Sequence, residues 1–332
     1  RVPYGEADLI VTLFVDGLGV IAAAARSARR SSKRFAALEP LHGLVVTLDR
    51  REGVDLATLV DADLARPRLG VARSLERLEA AGHALRWVRG QPTQVLVLAG
   101  GQEFFSNGIH LHDIEAAQRV EGDSAADASW RNINAMNDAA LEVLTLADRI
   151  TVAALHGNAG AGGCFLALAA DEVWTHEGVV LNPHYKNMGN LYGSEYWTYS
   201  LPRRMGEAAS RAPMQQRLPW TAPDAVQRGL VDACFAVGAQ AFGTQAAERA
   251  LALASVHNLA ERLRDKALRR ADDEERKPLA LYREEELQRM QRNFYGFDPS
   301  YHVARHHFVY RKPHAWTPRH LAPHRALVPT FA

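Results

Sequence analysis

Two short apolar runs, each opening into a glycine-rich turn, constrain this 332-residue chain more than any other feature. The first is Gln94-Val-Leu-Val-Leu-Ala99, followed by Gly100-Gly-Gln-Glu-Phe-Phe-Ser-Asn-Gly-Ile-His-Leu111. The second is Thr151-Val-Ala-Ala-Leu155, followed by His156-Gly-Asn-Ala-Gly-Ala-Gly-Gly-Cys164. Both then pass into a stretch able to form a helix. Glycine at a strand-to-helix turn allows positive φ and turns backbone amides toward negative charge. One such turn often serves only close packing of a helix on a strand. Two in one fold can aim two N–H groups at a single carbonyl oxygen, which is an oxyanion hole.

The alternation around these turns reads as α/β. Residues 43–49 form a continuous apolar strand, residues 71–89 a helix, and residues 130–149 an amphipathic helix with Ile133, Met136, Ala140, Val143 and Ala147 on its buried stripe. A helix is expected over 163–170, one long helix over 244–271, and another over 279–293 before an aromatic and histidine-rich tail. The expected division is a lead-in over 1–40, a main domain over 41–235 and a C-terminal helical extension over 236–332. Leu9–Ala25 is the only membrane-like stretch, but Asp16, Gly17 and Gly19 interrupt it, and a strand, a turn and the start of a helix are expected there. Arg26–Arg34 reads as a solvated helix face.

Charge excludes some partners. Lys and Arg number 39 against 38 Asp and Glu, so no overall field favours nucleic acid or an anionic membrane. Cys164 and Cys234 lack metal or redox spacing, which suits a reducing cytosol, and Cys164 reads as a packed thiol. The tail holds His302, His306, His307, His314, His320 and His324 among aromatics. His302 and His306 have the i,i+4 spacing of a metal pair, but no acidic third ligand follows, so the tail is expected to be structural and metal-free.

The paired turns resemble those of the crotonase (enoyl-CoA hydratase/isomerase) superfamily, as do Ala170-Asp171 and Gly229-Leu-Val-Asp232. The resemblance implies a ββα spiral domain that binds a CoA thioester. It makes the amides of Ile109 and Gly162 the oxyanion donors, with Gly108 and His110 beside the CoA. Arg50 and Arg51, after the first strand, are placed at the CoA phosphates by position alone. The family's hydratases use two glutamates as acid and base; here those positions hold Phe165 and His184. Phenylalanine moves no proton, so hydration is not expected.

In place of the second glutamate's wall stands Leu181-Asn-Pro-His-Tyr-Lys-Asn-Met-Gly-Asn-Leu-Tyr-Gly-Ser-Glu-Tyr-Trp-Thr-Tyr199. Tyr196 and Tyr199 have helical spacing and are expected to pack, whereas Tyr185 and Tyr192 lie in loop sequence beside the pocket. This block, with Ser129–Asn137 and Asn293–Arg305, is similar to the C-terminal half of HypX/HoxX-type maturation proteins of nickel-iron hydrogenase. That resemblance implies a cytoplasmic CoA-thioester lyase that decarbonylates formyl-CoA to supply carbon monoxide, with Tyr185, Tyr192 and His184 as the catalytic candidates. It implies coenzyme A as the only cofactor, and no metal. It also implies a formyl-tetrahydrofolate-dependent half or protein acting in trans, and the hydrogenase or its maturation machinery as partners. A chain opening on Arg1 without that half is expected to be a fragment or to receive formyl-CoA from elsewhere. A different short acyl-CoA enzyme (hydrolase or isomerase) and a non-catalytic CoA-binding scaffold are the alternatives.

Overall fold

The computed structural model describes residues 2–4, 7–15, 19–28, 43–49, 56–66, 74–101 and 104–312. The chain divides into two compact units, Arg1–Arg77 and Leu78–Ala332.

The first unit is a five-stranded sheet of β1 (Val2–Tyr4), β2 (Asp8–Val15), β3 (Gly19–Ala25), β4 (Gly43–Asp49) and β5 (Leu56–Arg66) in the order β1-β2-β3-β5-β4. Only the β3–β5 pairing is parallel. Val11, Ala23, Ala25, Ala57 and Leu59 are buried together. Two expectations are corrected here. Gly19–Ala25 is a strand rather than the start of a helix, because its full length pairs with β2 and this ladder overrides the helix preference of its alanines. The strand Gly43–Asp49 belongs with the lead-in, not with the main domain, since its ladder partner is β5. Of the basic run, residues 26–28 form a turn and residues 29–34 lie outside the described residues.

Helix α1 (Ser74–Val88) follows, and then three ββα turns build the second unit. β6 (Val95–Ala99), β7 (Phe104–Ser106), α2 (Leu111–Ala117) and α3 (Ala125–Leu144) make the first. β8 (Ile150–Leu155), β9 (Asn158–Gly160) and α4 (Gly162–Leu168) make the second. β10 (Glu172–His176), β11 (Val180–Asn182) and α5 (Trp197–Met205) make the third, followed by α6 (Arg211–Gln216), β12 (Trp220–Thr221), α7 (Ala222–Gln227) and β13 (Ala233–Phe235). The first strand of each turn enters a parallel sheet β13-β10-β8-β6, and the second enters another sheet, β12-β11-β9-β7. Both glycine turns therefore sit where the chain crosses between sheets. Strand β8 is buried at every position, as a central parallel strand must be.

The two aspartate-bearing segments that support the family resemblance act as staples. Asp171 accepts from the Thr151 amide at 2.7 Å, the Thr151 hydroxyl at 2.8 Å and Lys266 Nζ at 2.6 Å. Asp232 accepts from the Val173 amide at 2.7 Å and from Arg204 at 2.8 Å.

The expected helix over 244–271 is two helices, α8 (Ala239–Ala254) and α9 (Leu259–Arg276), broken over residues 255–258. Phe242, Ala246, Ala250 and Leu253 face the sheet, whereas Leu251 is 70% exposed. The break lets each helix turn its own apolar face inward. α10 (Leu279–Tyr295) and α11 (Ser300–Val309) complete the described chain. No helix among the described residues is long and apolar enough to cross a membrane.

Candidate active site

The first turn ends with Gly108 at φ 82°, directly before Ile109. The second leads into α4, whose first residue is Gly162. The two turns are packed against each other: a Cβ on Gly108 would lie 3.2 Å from the Gly162 amide nitrogen, and one on Gly163 would lie 1.9 Å from the Ser106 carbonyl oxygen. Only glycine permits this approach. Among the turn and loop hydrogen bonds of the described residues, the Ile109 and Gly162 amides find no backbone acceptor. His110 caps α2 by accepting from the Asp113 amide, which ties it to the helix rather than to the turn.

The chain after β11 closes over this corner. Tyr185 is buried and stacks on Phe165, with ring centroids 5.3 Å apart and planes 15° apart. Phe165, at the position where hydratases place a glutamate, thus serves as a platform for the phenol. Gly193 takes φ 96°, and any Cβ there would lie 2.2 Å from the Tyr185 ring. The Tyr185 hydroxyl donates to the Ser194 carbonyl at 3.0 Å and makes a short hydrogen bond with the Glu195 carboxylate.

Glu195 is the residue that sequence reasoning left out of the site. It is 1% exposed, and a Cβ on Gly162 would meet its Oε1 at 2.7 Å and its Oε2 at 3.2 Å. The carboxyl group therefore lies against the Cα of the proposed oxyanion residue. Burial pushes its pKa up to about 8, aided by the charge of Glu286, and only partly opposed by the bond from Tyr185. Burial and the Glu195 charge likewise raise the Tyr185 phenol well above its ordinary value. A signal was present in the sequence: Glu195 is the only acidic residue between Leu181 and Tyr199. Its neighbours Gly193-Ser194 permit the tight turn that buries it.

The other candidates are distributed differently. Tyr192 packs on Trp197 at 5.3 Å and under Arg289 at 5.3 Å, and its amide donates to Asn293. These contacts run to α5 and α10. His184 is buried, and its Nδ1 accepts from the Lys186 amide at 3.2 Å. Arg50 and Arg51 lie outside the described residues. Tyr196 and Tyr199 are buried, as their helical spacing suggested. Cys164 is buried, donates to the Ala159 carbonyl, and has its thiol pKa pushed up to about 12 by burial.

In the tail, His302 bonds the Phe294 carbonyl at 2.8 Å and Arg305 at 2.6 Å. His306 bonds Glu115 at 2.9 Å. Both rings thus engage protein partners; His314, His320 and His324 lie outside the described residues.

Residues 57–317 match the enoyl-CoA hydratase/isomerase family model, and residues 1–68 match the model of the N-terminal region of recombination protein O. The chain is 52% identical over 247 residues to the hydrogenase maturation factor HoxX of Bradyrhizobium diazoefficiens, covering 74% of this chain and 43% of that protein. It is 45% identical over 86 residues to the DNA repair protein RecO of Syntrophotalea carbinolica, covering 26% of this chain and 33% of that one. Among solved structures, HypX of Aquifex aeolicus in complex with tetrahydrofolic acid matches with a TM-score of 0.71 and 38% identity, over 92% of this chain and 54% of that chain. An enoyl-CoA hydratase of Bacillus halodurans matches with a TM-score of 0.58 at 18% identity, a likeness of fold alone. The chain thus spans about half the length of the HoxX and HypX proteins that it matches.

Proposed function

For a chain that belongs to the enoyl-CoA hydratase/isomerase family, with a crotonase region of the HypX/HoxX type, we propose formyl-CoA decarbonylation as the reaction of the second unit. The observation that carries this reading is the Tyr185–Glu195 pair seated against Gly162, with Phe165 where a hydratase needs a glutamate.

Formyl-CoA has no α-carbon, so a pair of enolate-handling glutamates would have nothing to act on. Its conversion to carbon monoxide and CoA breaks the C–H and C–S bonds and forms one S–H bond. No oxidant or reductant is required. One proton must leave carbon and one must reach sulfur. The amides of Ile109 and Gly162 hold the carbonyl oxygen as charge shifts. Glu195, largely protonated at neutral pH because its pKa is about 8, gives its proton to the departing sulfur. The formyl proton returns to the Glu195 carboxylate through the Tyr185 hydroxyl, so the pair ends as it began. The bulk of the stacked Phe165 and Tyr185 rings favours a short acyl group over a long chain.

The role in hydrogenase maturation follows the HoxX and HypX relatives. Formyl-CoA is proposed to come from a formyl-tetrahydrofolate-dependent domain or protein in trans, and the product to reach the nickel-iron enzyme in a reducing cytosol. In this reading Gly108 and His110 border the CoA, and Tyr192 and His184 the edge of the acyl site. The test is carbon monoxide release from formyl-CoA by the purified chain, followed by haemoglobin absorbance. No release above the spontaneous rate, in a chain that still binds CoA, would sink the assignment.

A further inference from the structure

The turn that carries Glu195 is held in shape from outside. Glu195 and Tyr196 are consecutive left-handed residues, at φ 63° and 60°. Side chains other than glycine are strained in that region, and persist there only when the surroundings fix them. The following helix α5 has Tyr196 as its N-cap and no cap from its own side chains. Its orphan amides must be satisfied by other groups.

Helix α10 supplies those groups from one face. Glu286, Met290 and Asn293 stand at i, i+4 and i+7, which places them in a row. Glu286 is fully buried. Its Oε2 accepts from the Tyr196 amide at 2.9 Å, and its Oε1 accepts from the Thr198 amide at 2.9 Å and the Thr198 hydroxyl at 2.6 Å. Met290 Sδ accepts from the Gly193 amide at 3.2 Å, and Asn293 Oδ1 from the Tyr192 amide at 3.1 Å. From the other side, Asn137 of α3 accepts from the Glu195 amide and the Ser194 hydroxyl, each at 2.8 Å. The amides of residues 192, 193, 195, 196 and 198 are thus all bound by side chains of two helices.

We infer that Glu286, at the head of this row, is a positioning residue: the C-terminal extension shapes the turn that aims Glu195 at Gly162. Glutamate suits the task because both of its oxygens accept. Glutamine would set its –NH₂ against one of the two amides and so break one side of the clamp. Its hydrogen bonds hold the backbone of 196–198, and its charge adds to the raised pKa of Glu195. This rests on the decarbonylase reading only where turnover is the measurement.

The test compares Glu286→Gln, Met290→Leu and Asn293→Ala with the wild type by amide hydrogen exchange, CoA affinity and carbon monoxide release. In Glu286→Gln, exchange over 190–200 is expected to rise at least about 10-fold, with α3 and the sheets unchanged. CoA affinity should stay within about 3-fold while kcat for formyl-CoA falls at least about 10-fold, the loss expected when acid geometry is disturbed. Met290→Leu, which conserves volume, should show the same pattern more weakly, and it or Asn293→Ala carries the test if Glu286→Gln does not fold. Unchanged exchange over 190–200 would overturn the inference. So would faster exchange with kcat intact, or a rise spread through the whole unit. If the wild type releases no carbon monoxide, the assigned reaction fails, and local exchange alone decides whether Glu286 shapes the turn.

Discussion

Replacing Glu195 by glutamine tests the buried acid without emptying its place. Glutamine keeps the volume and still offers the Tyr185 hydroxyl an acceptor, but it does not titrate. In the folded protein the Glu195 carboxyl has a pKa of about 8 against the ordinary 4.5. A raised carboxyl pKa means that the folded state binds a proton that the unfolded state has released. The stability from this group is therefore greatest below 4.5 and declines as pH rises to about 8. Each pKa unit is worth about 1.4 kcal/mol, so wild type should lose ~3–5 kcal/mol across the window relative to Glu195→Gln. Glu286, raised to about 7 chiefly by burial, tilts both proteins the same way, and its charge on Glu195 is part of the difference that the variant removes. Urea denaturation from pH 5 to pH 8.5, followed by tryptophan fluorescence, measures it. The five tryptophans among the described residues, Trp87, Trp130, Trp174, Trp197 and Trp220, all lie in the second unit, so their signal reports the unit that holds the site. A wild-type-minus-variant stability that stays flat to within about 0.5 kcal/mol over that range would refute a buried, proton-holding Glu195.

Carbon monoxide release should fall as pH rises through about 8, since the acid must be protonated, and a pH–rate profile with no limb there would remove Glu195 as the donor. Tyr185→Phe should reduce formyl-CoA turnover about 10²-fold or more while Tyr192→Phe costs less than about 10-fold, because only Tyr185 is bonded to Glu195; equal effects would contradict the pairing. Crotonyl-CoA hydration should be at least about 10²-fold below that of a hydratase, measured by loss of enoyl absorbance, since Phe165 carries no proton. Arg305→Ala should destabilise the second unit by about 1.5–3 kcal/mol, because it removes one of the two partners of buried Glu115 and leaves only His306; thermal melts within 2 °C of wild type would contradict this. Metal analysis of tag-free protein should find no stoichiometric transition metal, with His302 and His306 engaged by Phe294, Arg305 and Glu115.

Much of the second unit was legible because its signals are local. Strand β8 reads as a strand from its own unbroken apolar run, and a helix is read over 130–149 from its apolar stripe where the structure has Ala125–Leu144. The glycines announced both turns, since no other residue could stand where a Cβ would meet the Ser106 carbonyl oxygen. The N-terminal unit was poorly legible. Gly19–Ala25 is rich in alanine, and only the partner strand makes it β. The strand Gly43–Asp49 reads as apolar in either unit, so its own residues do not say which sheet it joins. Whole-chain charge likewise averages over two units and says nothing particular about residues 1–68, whose likeness is to RecO proteins.

The sequence by itself determined that Phe165 and His184 stand where the resemblance puts a hydratase's two glutamates and that residues 181–199 are rich in tyrosine, because side-chain type is read directly from the chain. It did not single out the acid. Glu195 looks like any surface glutamate until the turn buries it, and burial is what raises its pKa. Nor did it separate Tyr185 from Tyr192, two phenols in one loop, of which one stacks on Phe165 and the other packs tilted against Trp197. Those distinctions were decided only by α3 and α10, which meet the loop from positions about 60 residues before it and 90 residues after it in the chain. Local pattern fixes which groups are available; contacts between distant segments fix which are dry, charged and aimed at one another.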